Sequence, residues 1–234
     1  MLTEIRDFSP YFHSSRVIPE TDAPMMERIF RLRFEIYCQE CGFLNAGDYP
    51  DSRESDPHDA ESAHFCAIDR RDGLAGYVRL VMPNQQDQFP FQYHCADLFT
   101  EAALPDAKQA GEISRLMVHS NYRRRRGDIL AGITVTSDVA PMPERRTESP
   151  QIMLSLFRQM YAYSLGHNIR FWYAAMERPL ARALTRLGFA FNQIGPQTDY
   201  YGPVAPYLAD LRELETKVGA ADPELLAWMR AARD

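Results

Sequence analysis

Glu112-Ile113-Ser114-Arg115-Leu116-Met117-Val118 sets a carboxylate and a guanidinium three residues apart inside an apolar, β-prone run. Burying such groups is costly unless they are paired or used, so this strand marks a site as well as a sheet. Side chains alternate along a regular strand, and residues three apart point to opposite faces. Glu112 and Arg115 therefore serve one pocket only if a β-bulge lies between them.

Upstream, His64 to Ile68 and Gly76 to Met82 are short apolar runs flanking Asp72-Gly73, a hairpin signal, and read as paired antiparallel strands. A helix is expected to start at Asp22, a capping residue with Pro24 just inside, and to end by Gly42. The stretch 45–62, rich in Asp, Pro, Gly and Ser, is a long loop of the kind that holds a function, and 121–150 is a second. Downstream, Ser149-Pro150 caps a helix that runs to Gly166, followed by a strand over 169–174, a helix over 177–187 closed by Gly188, and a strand over 189–194. Helices fill the remainder, one over 208–218 and one opened by Asp222-Pro223-Glu224. The pattern is an α+β fold, a mixed sheet flanked by helices, in one domain spanning 1–234 with C-terminal helices within 206–234.

The chain of 234 residues carries a net charge of -6, which argues against nucleic-acid binding and against an anionic membrane as the main partner. It has no apolar run of bilayer length and no signal-peptide start, so a cytoplasmic protein without an integral membrane segment is expected. Peripheral membrane association stays open. Cys38-Gln-Glu-Cys41 has metal-like spacing but lacks a second half, so packing cysteines and no metal are expected.

Three acids in the first loop, Glu54, Asp56 and Asp59, stand against three arginines on other elements, Arg33, Arg79 and Arg115. The planar guanidinium suits bidentate pairing, and these six could close into one network. In order and spacing, Arg33-Phe-Glu-Ile-Tyr37, Phe43, Glu54-Ser-Asp56-Pro-His-Asp59, Gly76-Tyr-Val-Arg79 and Glu112-Ile-Ser-Arg115 resemble the acyl-homoserine-lactone synthases and the long-chain N-acyl amino acid synthases. Tyr122-Arg-Arg-Arg125, Met176-Glu177-Arg-Pro-Leu180, Arg186-Leu-Gly-Phe189, Ile194-Gly-Pro196, Asp199-Tyr-Tyr-Gly202 and Ala205-Pro-Tyr207 extend the likeness to the acyltransferases found beside exosortase and PEP-CTERM protein-sorting systems. Tyr37 and Phe43 depart from the Phe and Trp usual in the lactone synthases around S-adenosylmethionine.

The resemblance implies a GNAT-like N-acyltransferase fold, mostly antiparallel, that moves a fatty acyl group from a thioester to the amine of an amino acid or similar small metabolite. It implies Glu112 as the base, against a structural alternative in which Glu112 only pairs with Arg115 or Arg79. Backbone amides of Leu116, Met117 and Val118 on a bulged, splayed strand would hold the thioester oxygen. Arg79 and Arg115 either orient the acceptor or neutralise Asp56 and Asp59, while Arg33, Tyr37, Phe43, Asp56 and Asp59 shape its site. The run Arg123, Arg124, Arg125 and Arg126 either meets an acyl carrier protein or is a solvated turn. No tightly bound cofactor is implied, only an acyl-phosphopantetheine co-substrate on acyl carrier protein or coenzyme A. Phe157, Met160, Tyr161, Phe171, Trp172 and Tyr173 either line an acyl pocket or form core. The rivals are a short-chain GNAT acetyltransferase using acetyl-coenzyme A and a non-catalytic acyl-binding sensor.

Overall fold

A computed structural model describes residues 5–123 and 148–232. Its sheet runs in the order β1 (Phe12–Val17), β2 (Ser62–Asp69), β3 (Leu74–Val81), β4 (Ala110–Val118), β5 (Phe171–Met176), β8 (Pro203–Asp210) and β6 (Asn192–Gln193), with β7 (Thr198–Asp199) paired to β8. Every pairing is antiparallel except β4 with β5. This is the mixed, mostly antiparallel sheet that the sequence predicts.

Helix α1 (Ala23–Phe34) begins where expected: the Asp22 side chain accepts from the Met25 N–H at 3.2 Å and Pro24 lies in the first turn. It runs on into a π-helical turn, Glu35–Glu40, and Gly42 follows with φ +64°. Its apolar stripe, Met26, Ile29 and Leu32, packs with Tyr77 and Met117 on one face of the sheet. On the other face α3 (Glu148–Gly166) buries Ile152, Leu156, Phe157 and Met160 against Phe65, Val78, Leu80 and Ile113. Short helix α2 (Pro90–His94) and helices α4 (Arg178–Arg186), α5 (Leu211–Ala221) and α6 (Pro223–Arg230) complete the order.

The differences from the sequence pattern are local. Strand β1 is unpredicted, because FHSSRV carries four polar residues; it is an edge strand whose Ser14 hydroxyl is satisfied by the Ser155 carbonyl at 2.7 Å. The helix expected from Leu208 starts at Leu211, and residues 203–210 form a strand despite Pro203 and Pro206. Each proline lacks only the donor: Pro206 is next to the last pair of the ladder with β5, and Pro203 lies beyond that ladder, at the start of β8 opposite Asp199. The strand expected over 189–194 shrinks to Asn192–Gln193, since Phe189 serves the α3 core. Ser149-Pro150 lies inside the first turn of α3.

Candidate active site

The bulge required of the Glu112 strand is present. Tyr77 pairs with Met117 and Arg79 with Ser114, so two steps along β3 face three along β4, and Arg115 takes φ +55°. Glu112, Ser114, Arg115 and Met117 then share the α1 face, while Ile113, Leu116 and Val118 belong to the α3 side. One extra residue thus brings the carboxylate and the guanidinium together.

The six expected charges do form one network. The buried Arg33 donates from Nε to Glu54 at 2.5 Å and from Nη1 to Asp59 at 2.5 Å. Arg79, 1% exposed, holds Asp56 in a fork at 2.7 Å on both oxygens and reaches Asp59 at 2.6 Å. Arg115 bridges Glu54 and Asp56 at 3.0 Å each and lies 4.7 Å over the Tyr37 ring. Burial pushes the carboxyls of Glu54 and Asp56 up, but hydrogen bonds and the charges of the arginines outweigh it and hold both below the ordinary range. The acids sit on a loop locked by its own caps: Asp56 accepts from His58 N, and Asp59 from Asp56 N at 2.8 Å. Arg79 is therefore consumed in ion pairs, which displaces its acceptor-clamp reading; Arg33, Arg79, Asp56 and Asp59 form a wall behind the site and do not line it.

In front of that wall is a cavity of about 160 Å3. It exists because β4 and β5 pair only from Ala110↔Phe171 to Ile113↔Ala174 and then part, although both strands continue. Beyond Ile113 the β5-facing edge of β4, including Leu116, Met117 and Val118, opens onto this gap. One side of the cavity is apolar, with Leu116, Val118, Phe157, Met176, Leu184 and Phe191. The other side carries Glu112, Ser114, Arg115, Glu177, Tyr200 and Tyr201, with Tyr37 and Phe43 beside them. Tyr37, Phe43, Tyr201 and Tyr200 contact in sequence at 5.8, 6.0 and 4.7 Å between ring centroids, and His94 stacks on Tyr200 at 3.9 Å.

Glu112 is 3% exposed and, among the described residues, makes no ion pair; its carboxylate accepts the Phe91 N–H at 2.8 Å. Burial raises its pKa to about 7, opposed by the Phe91 hydrogen bond and by the charges of Arg79 and Arg115. A carboxyl so poised takes a proton near neutral pH. Of the basic run, Arg123 lines the cavity and pairs with Glu40, whereas Arg124, Arg125 and Arg126 lie outside the described residues. Phe157 alone of the six acyl-pocket aromatics and methionine reaches the cavity; the others are core or its rim. Glu177, Tyr200 and Tyr201 were not singled out for chemistry. Tyr200 and Tyr201 arrive through the turn between β7 and β8, where Tyr201 has φ +54° and Gly202 φ +105°. Among the described residues no group of His, Cys, Asp and Glu is arranged to hold a metal, and no helix is long and apolar enough to cross a membrane.

Comparison with known proteins agrees with this geometry. Residues 32–131 match the model of the acetyltransferase (GNAT) domain. An acyl-homoserine-lactone synthase of Aeromonas salmonicida is 24% identical over 169 residues, 71% of this chain and 70% of that one. The solved coenzyme A-dependent acyl-homoserine lactone synthase BjaI, with S-adenosylmethionine and isopentyl-coenzyme A, superposes with a TM-score of 0.60 at 18% identity, covering 95% of this chain and 99% of the other. FeeM, an N-acyl amino acid synthase from uncultured soil microbes, gives 0.52 at 14% identity over 90% and 96%. The splayed strands, the bulge and these likenesses together make the chain a GNAT-fold protein related to acyltransferases of the acyl-homoserine-lactone synthase type.

Proposed function

We propose that this protein is an N-acyltransferase that moves a fatty acyl group from a phosphopantetheine thioester to the amine of a small metabolite. The observation that carries the reading is the Glu112 carboxyl, without an ion pair among the described residues, buried on the polar side of a cavity where β4 and β5 part. The acyl tail lies on the apolar side, toward Phe157 and Leu184, which suits a long chain better than acetate. The thioester carbonyl lies against the free edge of β4 near Leu116 to Val118. Glu112 removes a proton from the acceptor nitrogen, directly or through one water, as it attacks the carbonyl carbon. Edge amides stabilise the oxygen while it is anionic, and the carbon–sulfur bond then breaks to release the thiol.

Acyl carrier protein is the donor source we favour. Arg178, Arg182 and Arg186 stand exposed one turn apart on α4, and Phe191 is shared between the groove they edge and the cavity. Such a stripe on an acidic chain complements an acidic carrier better than it complements free coenzyme A. The motifs of the second half support a role beside an exosortase sorting system.

The test is lipid extraction from cells overproducing the protein, with mass spectrometry for new N-acyl compounds. Such compounds are expected with the natural sequence and not with Glu112→Gln; an identical lipid profile in both strains defeats the reading.

A further inference from the structure

Glu177 is the second acid of the cavity, and its surroundings differ from those of every other charge there. Arg115 is paired with Glu54 and Asp56, and Arg123 with Glu40. The Glu177 carboxylate makes no hydrogen bond or ion pair among the described residues, yet the residue is half-buried and burial raises its pKa. Among the described residues, the acceptor side thus offers two carboxylates without ionic partners and no unpaired cation.

Register places the two acids on one face. Glu112 lies beside Tyr173, and Tyr173 and Ala175 belong to the same packing cluster, on the side away from Ala174 and Met176. Glu177 follows Met176 with extended backbone, φ -72° and ψ 149°, so alternation returns it to the Tyr173 side. At about 3.3 Å per residue, the four steps from Tyr173 to Glu177 separate the acids by roughly 13 Å along the strand. Allowing a hydrogen bond of about 2.9 Å at each end leaves roughly 7 Å between two bound nitrogens. With single bonds near 1.5 Å, a zigzag chain of about four or five carbons bridges that gap.

We propose that the acceptor is a small diamine, or an amine of like reach with a second positive charge and no carboxylate, whose far ammonium Glu177 holds while Glu112 deprotonates the near one. The aromatic rings of Tyr200 and Tyr201 flank the methylene chain and the cation. This deepens the acyltransferase reading and rests on it. Among the described residues the arginines at the cavity are all paired, so an α-amino acid would bring its carboxylate there without a free cation to meet it. The reaction balances: the near ammonium gives one proton through Glu112 to water, the resulting amine nitrogen bonds the carbonyl carbon, its second proton passes to Glu112, and the carbon–sulfur bond breaks to release a thiolate that takes up that proton. The far ammonium is unchanged.

The experiment uses the full chain with decanoyl-acyl carrier protein and compares 1,5-diaminopentane, pentylamine and norleucine, with the twenty protein amino acids as a pool. Products are followed by mass spectrometry. The diamine is expected to exceed pentylamine at least about tenfold in kcat/KM, mainly through KM, and norleucine is expected to be poorest. Glu177→Gln should lower the diamine value at least about tenfold more than the pentylamine value. Equal values for diamine and pentylamine, or a preference for norleucine, overturn the acceptor proposal while leaving acyl transfer standing. No acylation of any acceptor removes both.

Discussion

Glu112 is held in a costly state, and the cost can be measured. Its folded pKa of about 7 lies above the ordinary carboxyl value of 4.5. The folded state therefore holds the proton more tightly, and stability falls as pH rises from about 4.5 to 7, by up to about 3 kcal/mol at 1.36 kcal/mol per unit. Glu112→Gln removes this loss, so urea titrations should find the variant more stable than the natural protein at pH 8 and closer to it at pH 5. Catalysis should move the other way. The base must be ionised, so kcat/KM should rise with pH to a plateau above about pH 7, and Glu112→Gln should lower the rate about tenfold to a thousandfold. A variant with full turnover would remove Glu112 from the mechanism. Arg79 presents the opposite case: Arg79→Ala leaves three carboxylates facing two guanidiniums, one negative charge of the network uncompensated, and chemical denaturation should register a loss of about 3–5 kcal/mol.

At the scale of elements, the decisive piece is the bulged strand. Its charges were legible in the sequence because two ionisable groups inside an apolar run demand a use, and alternation turned that demand into a bulge between Glu112 and Arg115. The bulge itself was not legible, since nothing in Ser114-Arg115-Leu116 favours φ +55°; long-range ion pairs to Glu54 and Asp56 hold it there. The same limit hid β1 and β8, whose polar residues and prolines become acceptable only at an edge or beside a particular partner. Gly76, next to the bulge, tests how tightly the elements fit. A Cβ there would lie 2.6 Å from Ile152 Cγ2 and 3.0 Å from the Met117 carbonyl oxygen. Gly76→Ala should therefore cost about 1–3 kcal/mol in thermal or urea unfolding, by pressing α3 off the sheet; an unchanged melting temperature would mean that Ile152 swings clear.

Across the whole molecule, the first half was the more readable, because α1, the β2–β3 hairpin and the acid loop carry caps, turn signals and complementary charges. The cavity belongs to both halves and was invisible, since it depends on where β4 and β5 stop pairing. Tyr200, Tyr201 and Glu177 reach it from a turn and a strand end far along the chain. Acid should unfold the molecule through its charge network. Glu54 and Asp56 have folded pKa values below their unfolded ones, so their stabilisation is complete above about pH 5 and is lost as pH falls through and below 4. Circular dichroism should follow a cooperative transition on that acidic limb, and a protein equally stable at pH 3 and pH 6 would contradict the assignment.

The network has one more consequence, for how such a protein can change over time. Three positive and three negative groups cancel within the buried wall, so an isolated substitution at any of the six leaves an opposite charge stranded. Those positions are expected to drift together or not at all. Tyr37, Phe43, Tyr200 and Tyr201 carry no such debt: they face the cavity through ring contacts that another ring can replace. New acceptors are therefore reached by exchanging rings in front of an unaltered wall, which confines innovation to the part of the molecule least able to unfold it.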